Sequence, residues 1–531
     1  MIGGCGALVA VQLTESRLAR TPKVIIVGAG VGGLAAAIDL AARGLDVEVL
    51  ERAAAPGGKM RALRVDGVDV DGGPTVFTMR WIFDALFASA GRRLEDELEL
   101  YPATTLARHA WRAGGRLDLF ADVERSAQAI GEFAGAADAR GYLEFCRRSA
   151  GVYRTLRDTF IARQRPSLPG LVWQVGPHRL DALLQLGSMQ TLWSALGRHF
   201  RDPRLRQLFA RYATYCGSSP LTAPATLMLV AHVEQDGVWQ VRGGMRRVAQ
   251  ALRGVGESRG ARFRFGCEVA ELQVEGGRVV GVATADGERL RADAVVFNGD
   301  VSALGAGRLG EAARRAAPAT APAARSLSAT TWCLHARTAG FPLDHHNVFF
   351  AEDYPREFRS IFEARAVVDS PTVYVCAQDR GAAAAGAVAA GARERLLVLV
   401  NAPPDGDRAS FDAGWLEARR RDAFALLRAC GLEVGNDGCD GVATTPAGFE
   451  SLFPASGGAL YGPINAGPLA SFRRQGAHTR LPGLFLAGGS VHPGPGIPMA
   501  AMSGRLAAAA VMSQLGLVAR RTAAVPLAVP A

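Results

Sequence analysis

The stretch from residue 23 to residue 33 reads KVIIVGAGVGG, and it decides the fold of the first part of the chain. Lys23–Val27 is an apolar, β-branched run of the kind that a parallel sheet buries on both faces. It leads through the spacing G-x-G-x-x-G into Leu34–Arg43, whose apolar pattern predicts a helix. Gly44 stands where such a helix ends, and Leu45–Leu50 predicts a second strand. This order predicts an α/β fold that opens with a Rossmann unit.

The spacing of the three glycines has physical reasons, and it predicts a dinucleotide site. Gly28 permits the tight turn from strand to helix, Gly30 lets the backbone approach a pyrophosphate, and Gly33 lets helix and strand pack closely. The helix N-terminus adds free N–H groups and a positive dipole end. Glu51 closes the second strand, 18 residues after Gly33. A carboxylate at that place can accept a hydrogen bond from a ribose hydroxyl.

A second glycine pair follows the acidic strand end. Arg52 precedes the run PGGKMR at residues 56–61, in which Gly57 and Gly58 let the backbone approach a ligand again beside Lys59. NAD needs nothing at this second place, and NADP would favour a cation in place of the glutamate. The run resembles the flavin-binding amine oxidase and carotenoid desaturase superfamily, in which the G-G-[KR] turn passes near the phosphates and flavin. The resemblance implies FAD as the cofactor.

A third turn lies at residues 71–80, which read DGGPTVFTMR. Two glycines and a proline predict that the backbone turns here at the end of a short strand. The pattern D-x-G-P-T-V is similar to a signature of bacterial phytoene-desaturase-type enzymes. Its fuller form here most resembles the hydroxycarotenoid 3,4-desaturase branch, also called methoxyneurosporene dehydrogenase. The resemblance implies that Gly73, Pro74 and Thr75 contact the cofactor.

The last informative stretch is residues 484–499, LFLAGGSVHPGPGIPM, followed by a predicted helix at Ala500–Gln514. A proline is well placed near a helix start because its missing N–H is not needed there. The helix N-terminus would offer positive potential to the N1–C2=O edge of a reduced flavin. Similar enzymes carry G-[AG]-x-x-H-P-G-x-G-I-P at this place, with the helix end on the isoalloxazine ring. The cofactor contacts implied here are Gly488, Gly489, Gly496, Ile497 and Pro498.

His492 lies inside that loop, and two roles are open to it. A histidine titrates near neutral pH, so acid–base work on the flavin or substrate is chemically available. The alternative is that the ring orients the loop by bonding to the backbone, and we expect this structural role because the cofactor fixes the position of the loop. The catalytic residues are otherwise unknown, and His492 is the one weak candidate.

The chain length of 531 residues predicts two or three domains. We expect a discontinuous Rossmann-type FAD-binding domain and a mixed α+β substrate domain, as in flavin amine oxidases and phytoene desaturases. Within the former, the resemblance implies that Val269 offers backbone bonds to the adenine end. The predicted ranges are 1–20 (loose tail), 21–95, 236–305 and 450–520 (FAD-binding domain), 96–235 and 306–449 (substrate domain), and 521–531 (tail).

Residues 80–235 are predicted to be mostly helical. Within them, the loop Arg165–Trp173 combines apolar tips with arginines, which is typical of an interfacial anchor or of a loop folded onto the core. The predicted helices are Trp81–Ala90, Glu124–Ala134, Arg140–Ile161 and Leu180–Phe200. The segments predicted to be helix-poor and to line a substrate tunnel are Tyr212–Pro220 and Thr222–Val233. Strands suited to the floor of a substrate cavity are predicted at Leu327–Arg337, Thr372–Ala377 and Arg395–Val400.

The formal net charge of +10 has two readings, solvated arginine-rich helices or attraction to an anionic membrane surface. No compact basic block is present, so we expect no nucleic-acid partner. Eight dispersed cysteines without C-x-x-C suit a reducing compartment. His345 and His346 could form a catalytic or metal pair, but no third ligand lies at a sensible sequence spacing, so we expect a strand edge or loop and no metal. We expect a cytoplasmic protein in peripheral contact with the inner membrane, since no stretch predicts a transmembrane helix.

The family resemblance spans nearly the whole chain and implies FAD-dependent removal of two hydrogens from an acyclic carotenoid. The 3,4-desaturase branch implies a new C-3,4 double bond in 1-hydroxy carotenoids of the hydroxyneurosporene or methoxyneurosporene type, with quinone or oxygen as the electron acceptor. Phytoene desaturation, or another desaturation or isomerisation of the same family, is the nearest alternative. A flavin amine or porphyrinogen oxidase and a non-catalytic carotenoid-binding flavoprotein are more remote alternatives.

Overall fold

The computed structural model describes residues 20–175, 190–384, 388–389, 391–435 and 441–517. The strands within these residues are β1 Lys23–Val27, β2 Asp46–Glu51, β3 Ala62–Val65, β4 Val68–Asp71, β5 Phe77–Thr78, β6 Leu100–Pro102, β7 Thr105–Trp111, β8 Arg116–Phe120, β9 Val238–Val241, β10 Arg262–Phe265, β11 Val269–Glu275, β12 Arg278–Thr284, β13 Arg289–Arg291, β14 Ala294–Phe297, β15 Ser328–Gly340, β16 His346–Phe350, β17 Val373–Ala377, β18 Arg393–Ala402, β19 Leu432–Val434, β20 Val442–Thr444 and β21 Leu484–Leu486.

Helices join these strands. The α-helices of the described residues are Val31–Ala41, Arg80–Ser89, Leu94–Glu97, Val123–Ala134, Ala136–Leu156, Leu168–Val175, Leu192–Leu196, Pro203–Ala210, Leu229–Gln235, Arg246–Ser258, Val301–Gly305, Tyr354–Arg359, Ala413–Ala429, Pro446–Leu452 and Ile497–Gln514. Shorter π or 3₁₀ turns lie at Arg157–Ile161, Arg211–Cys216, Ala225–Met228, Glu311–Arg315, Pro322–Ala324, Ser360–Ala364 and Ala470–Arg473.

The first sheet is parallel and confirms the predicted Rossmann unit. Its strand order is β10-β2-β1-β14-β21, and every pair in it is parallel. Its strands come from three separate parts of the chain, so the sheet is discontinuous in sequence. The apolar residues at the centre of β1, Val24, Ile25 and Ile26, are fully buried, as expected for a strand covered on both faces. The α/β fold class predicted from the glycine stretch is therefore confirmed.

The second large sheet has the order β19-β15-β18-β17-β16-β7-β8, and β20 also pairs with β15. Its strands β15, β17 and β18 confirm the three strands predicted in the substrate part. Alternate residues of these strands point into one cavity, as the period of two requires. The cavity-facing side chains include His346 and Val348 of β16, Thr372 and Tyr374 around β17, and Leu397, Leu399 and Asn401 of β18.

The prediction of a mostly helical segment at 80–235 is confirmed for its described residues, although strands interrupt the helices. Strands β6, β7 and β8 lie within it, and β9 begins just after it. Residues Thr105–Trp111 form β7 because they pair with β16 and β8 in the sheet, although the sequence segments around them are helical. The segments predicted to be helix-poor also differ, because they form 3₁₀ turns and the helix Leu229–Gln235.

Two further expectations about this region change. The predicted loop at Arg165–Trp173 is wrong in its second half, which begins the helix Leu168–Val175. A proline near the start of a helix is tolerated, so Pro169 does not prevent it. Much of the predicted helix Leu180–Phe200 lies outside the described residues, and the described part forms the short helix Leu192–Leu196. Among the helices that the structure describes, none combines the length and apolarity needed to cross a bilayer.

Candidate functional site

One cavity of about 1320 Å³ joins the parallel sheet to the eight-stranded sheet. Single-ligand pockets usually measure about 300–1,000 Å³, so this cavity has room for a dinucleotide and for part of a second ligand. All the predicted cofactor residues line this cavity except Gly33, which packs against the carbonyl of Gly28. The lining residues from that prediction are Gly28, Gly30, Glu51, Arg52, Gly57, Gly58, Lys59, Gly73, Pro74, Thr75, Val269, Gly488, Gly489, Gly496, Ile497 and Pro498.

The first glycine turn has the close approaches that the spacing predicts. A side chain at Gly33 would overlap the carbonyl oxygen of Gly28, so this glycine serves helix–strand packing. A Cβ atom at Gly30 would lie 2.8 Å from the Nδ2 atom of Asn298. The bare backbone therefore forms the wall of the cavity at the N-terminus of the helix Val31–Ala41. Such a wall suits a pyrophosphate.

Glu51 is held by the backbone on both sides. Its Oε2 atom accepts a hydrogen bond from the N–H of Ala29 at 2.7 Å, and its Oε1 atom accepts from Ala53 at 2.8 Å. A carboxylate has about four lone-pair sites, so the side chain can still accept from a ribose hydroxyl. The side chain of Arg52 also lines the cavity, and its guanidinium donates to the carbonyl groups of Ser451 and Leu452. The ribose contact of Glu51 stays a prediction.

The second and third turns fasten onto the first. The N–H of Gly57 donates to the carbonyl of Ala29 at 2.9 Å. A side chain at Gly73 would overlap the carbonyl of Lys59, so these two turns pack backbone to backbone. Lys59 Nζ donates to the carbonyl of Leu460 at 2.5 Å. Burial lowers the pKa of this lysine, and Asp300 opposes that shift. The three motifs therefore meet at one place, as a single bound dinucleotide requires.

The C-terminal motif closes the same cavity. Strand β21 ends at Leu486, and Gly488 follows beside Asn298, while Gly489 lies near Pro495. Gly496, with a φ of +108°, precedes the helix Ile497–Gln514, and Pro498 lies in the first turn. The free N–H groups of this helix start thus belong to the cavity wall. The predicted helix start at Ala500 is corrected to Ile497.

Two residues of this site escaped the sequence reasoning. Asn298 Nδ2 donates to the carbonyl of Gly28 at 3.2 Å and so braces the first turn. Its place after the parallel strand β14 was an available signal, because ligands bind at the carboxyl ends of such strands. Arg474 donates to the carbonyls of Gly489 and Tyr461, and burial lowers its pKa to about 10. No local pattern marks Arg474.

His492 is buried and does not line the cavity. Its side chain is 2% exposed, and its Nε2 atom lies 2.8 Å from the carbonyl oxygen of Arg163. The ring meets Phe160 edge-on, with 4.6 Å between the ring centres. Burial lowers the pKa of His492 to about 4. A neutral ring bonded to the backbone favours the structural role, which stays a prediction.

We expect His492→Gln to weaken FAD retention while most turnover survives when FAD is added in excess. The reason is that the ring ties the glycine loop to the carbonyl of Arg163 and touches no cavity surface. FAD content after gel filtration and turnover at saturating FAD would test this. Full FAD occupancy combined with a loss of turnover of about 100-fold or more would instead indicate an acid–base role.

The pair His345 and His346 lies next to Cys376 on the neighbouring strand. One possible ligand atom from each of the three lies within 4.8 Å of the others. Cross-strand pairing supplies this third donor, which sequence spacing did not show. Burial raises the pKa of the Cys376 thiol, which disfavours the thiolate that a metal binds. The expectation of no metal therefore stays a prediction.

Comparison with known proteins agrees with this geometry. Residues 31–512 match the family of flavin-containing amine oxidoreductases, so the chain belongs to that family. It is an FAD-dependent oxidoreductase, and its relatives in sequence include carotenoid desaturases. The hydroxyneurosporene desaturase of Rubrivivax gelatinosus is 56% identical over 502 residues, which cover 94% of this chain and 95% of that protein.

A second relative and one solved structure complete the comparison. The 1-hydroxycarotenoid 3,4-desaturase of Flavobacterium sp. is 30% identical and covers 92% of this chain and 98% of its own. An oxidoreductase from Methanosarcina mazei superposes with a TM-score of 0.55 at 16% identity, over 93% of this chain and 100% of that one. At this identity the structural likeness shows the fold alone.

Proposed function

We propose that the protein introduces a C-3,4 double bond into acyclic 1-hydroxy carotenoids. The observation that carries this proposal is the continuity of the cavity from the cofactor turns onto the eight-stranded sheet. A polyene chain is long and apolar, and the part of the cavity away from the glycine turns has mostly apolar walls. Those walls include Leu106, Leu156, Leu171, Leu227, Leu229, Val230, Val233, Val348, Leu397 and Leu399. The activities for which the two relatives are named support the same substrate class.

The chain contributes orientation and a water-free site to this reaction. FAD, when bound, supplies the acceptor for the two electrons removed from the substrate. The sheet side chains Val348, Leu397 and Leu399 present a flat apolar floor on which a polyene can lie. Phe160 and Ile161 close the cavity near the His492 loop. Excluding water here strengthens the interaction of the cofactor with the N–H groups at both helix starts.

Pigment analysis tests the proposed step. Hosts that make phytoene, neurosporene or 1-hydroxyneurosporene would each express this chain, and extracted pigments would be compared with those of hosts expressing Gly30→Val. We expect a product with a longer polyene, absorbing at longer wavelength, from the hydroxylated substrate. Conversion of phytoene without conversion of 1-hydroxyneurosporene would instead establish the alternative desaturation step.

Anaerobic mixing separates an enzyme from a carotenoid-binding flavoprotein without turnover. Added substrate should bleach the flavin absorbance when air is excluded, because the electrons then have no further acceptor. An unchanged flavin spectrum in the presence of bound substrate would favour the binding protein. Readmission of oxygen, or addition of a quinone, would show which of the two proposed acceptors restores the colour.

We also propose peripheral contact with the cytoplasmic face of the inner membrane through the helix Leu168–Val175. Trp173 on this helix is 82% exposed, whereas Leu171 is buried and lines the cavity. One face of this short helix therefore exposes the indole of Trp173 to solvent, and the opposite face contributes Leu171 to the cavity wall. Indole side chains favour the membrane–water interface, and an apolar substrate would have a short path from lipid to cavity.

Liposome flotation tests the membrane contact. We expect the protein to float with anionic vesicles and Trp173→Ala to shift towards the soluble fraction. Leu517→Ala is the matched control, because Leu517 is another exposed apolar residue, 47% accessible, after the last helix. Complete recovery of the wild type in the soluble fraction with anionic and neutral vesicles would contradict the proposal. Equal loss of flotation in both variants would show that Trp173 has no special role.

A further inference from the structure

Away from the cofactor turns, the described lining of the cavity includes a polar patch formed by Arg211, Tyr215, Glu234, His346 and Tyr374. All five residues line the cavity on the side of the eight-stranded sheet. Polar groups are costly in an apolar interior unless they are hydrogen-bonded. A purely hydrocarbon ligand offers no hydrogen bond to such a patch. Its presence therefore points to a polar group on the ligand.

Most of the patch is satisfied internally. Tyr215 donates its hydroxyl to Glu234 Oε1 at 2.5 Å, and Arg211 Nη1 donates to the Tyr215 hydroxyl at 3.3 Å. The Tyr374 hydroxyl lies 2.7 Å from His346 Nδ1 and 2.8 Å from the Thr75 hydroxyl. These bonds fix the tyrosines and one side of the imidazole. The patch is thus pre-organised before any ligand binds.

Two atoms of the patch remain without a partner. Neither His346 Nε2 nor Arg211 Nε has a hydrogen-bond partner among the described residues. His346 is only 5% exposed, so bulk water does not compensate its ring nitrogen. Burial lowers the pKa of His346 well below its ordinary value, and His345 and Arg211 act in the same direction. The ring is therefore neutral, and the bond to Tyr374 holds it in place.

The patch lies beside the cofactor turns. Thr75, which bonds Tyr374, belongs to the turn whose Gly73 packs on the carbonyl of Lys59. On the other side, a Cβ atom at Gly217, next to the patch segment, would lie 2.8 Å from the Cβ of Ser326 and would overlap the ring of Tyr461. The carbonyl of Tyr461 accepts from Arg474, which also bonds Gly489. A patch residue is thus bonded directly to the third turn through Thr75, and the chain next to the patch packs on Tyr461, which Arg474 links to Gly489.

The structure of the proposed substrate places its hydroxyl group close to the cofactor. In a 1-hydroxy carotenoid the carbon that bears the hydroxyl is separated from C3 by a single methylene group. When the C3–C4 bond faces the cofactor, the hydroxyl must lie only a few bonds away. A polar contact at the far end of the cavity could not reach it, whereas a contact next to the cofactor turns can.

We propose that the polar patch binds the C1 hydroxyl group of the substrate, with His346 Nε2 as the contacting atom and Arg211 beside it. This inference rests on the proposed function and deepens it. It makes His346 the residue that selects hydroxylated substrates and sets which bond faces the cofactor. A site built to hydrogen-bond a hydroxyl rejects the analogue without it strongly, because its buried polar atoms then stay unpaired.

Two substrates that differ in one group test the inference. 1-Hydroxyneurosporene and 1,2-dihydroneurosporene have the same carbon chain, and the second lacks only the hydroxyl. We expect the wild type to favour the first in kcat/KM by on the order of 100-fold or more. His346→Leu should reduce this preference towards one, mainly by loss of activity on the hydroxylated substrate. The FAD content should stay at the wild-type value.

Two further variants guard this result. His346→Gln keeps a polar atom and should retain part of the preference, which a mere packing role would not predict. His345→Leu is the matched control, because its ring is the neighbour in sequence, bonds the carbonyl of Arg380 and does not line the cavity. We expect it to keep the preference. Equal losses in His345→Leu and His346→Leu would overturn the inference in favour of a shared structural or metal-holding role.

The outcomes separate this inference from the proposed function. If the wild type desaturates 1-hydroxyneurosporene and His346→Leu keeps the full preference, the hydroxyl contact is refuted and the proposed function stands. If the wild type converts both substrates equally well, the patch does not select the hydroxyl, and the inference fails again. If it converts neither substrate, the proposed function itself fails, and the inference fails with it.

Discussion

Gly30→Val is expected to abolish FAD binding, whereas the purified wild type should be yellow with one FAD per chain. The Cβ position of Gly30 lies 2.8 Å from Asn298 Nδ2, and the Cα of Gly30 lies 3.3 Å from the Cβ position of Gly58. Asn298 cannot withdraw without losing its bond to the carbonyl of Gly28. Valine would therefore fill the space that a pyrophosphate needs. A loss of affinity of at least about tenfold corresponds to about 1.4 kcal/mol of binding free energy.

Gly254→Val provides the matched control for that variant. Gly254 lies on the exposed side of the helix Arg246–Ser258, and its Cβ position meets nothing within 4 Å. This variant should keep its flavin, as measured by absorbance after gel filtration and by titration of the apoprotein. Wild-type FAD occupancy in Gly30→Val would show that the first glycine motif is not the cofactor site.

The cofactor half could be predicted because its signals are local. The glycines at 28, 30 and 33 directly follow a strand in the sequence. Their spacing alone therefore predicts the strand–turn–helix geometry of the Rossmann unit. The same holds for the C-terminal run, although its helix starts three residues earlier than predicted. Glu51 shows the limit of such reasoning. Its spacing predicts a ribose contact, but the structure adds two backbone donors that no spacing rule contains.

The substrate half could not be predicted in the same way because distant parts of the chain build it. The bond between Thr75 and Tyr374 joins residues 299 positions apart. The patch also needs Arg211 and Glu234 from the helical segment and His346 from the sheet. Sequence reasoning noticed the His345–His346 pair as a possible catalytic or metal pair but favoured a strand edge or loop. The pairing of β16 with β17 and with β7 positions His346 beside the other patch residues. Neither pairing can be predicted from local hydrophobic periodicity.

The two helices whose N-termini line the cavity are joined by a buried ion pair, Asp39 with Arg505. The Nε of Arg505 lies 3.0 Å from Asp39 Oδ2, and the two side chains are 2% and 4% exposed. Asp39 also accepts from the Ser89 hydroxyl at 2.8 Å. The helices approach closely near this pair, because a side chain at Gly504 would overlap the carbonyl of Gly32. The pair therefore fixes the first glycine turn relative to the start of the C-terminal helix.

We expect Asp39→Asn to reduce the free energy of unfolding by about 3–5 kcal/mol, because it leaves the buried guanidinium of Arg505 without its counter-charge. Urea unfolding followed by far-UV circular dichroism would measure this loss, and flavin release should occur at lower urea than in the wild type. Replacing both partners by apolar residues, Asp39→Leu with Arg505→Met, should restore part of the stability, since no buried charge is then left unpaired. Arg43 also loses its contact with Asp39, but its side chain is 36% exposed and water can solvate it.

The exposed pair Arg253 and Glu257 provides the matched control for the buried one. Its side chains are 41% and 42% exposed, and exposed ion pairs contribute little because water screens them. Glu257→Gln should therefore unfold almost like the wild type. If Asp39→Asn also unfolds like the wild type, the pair does not hold the two helices together. Their relative position would then depend on the packing of Gly32 against Gly504, and Gly504→Ala would become the variant that releases the flavin.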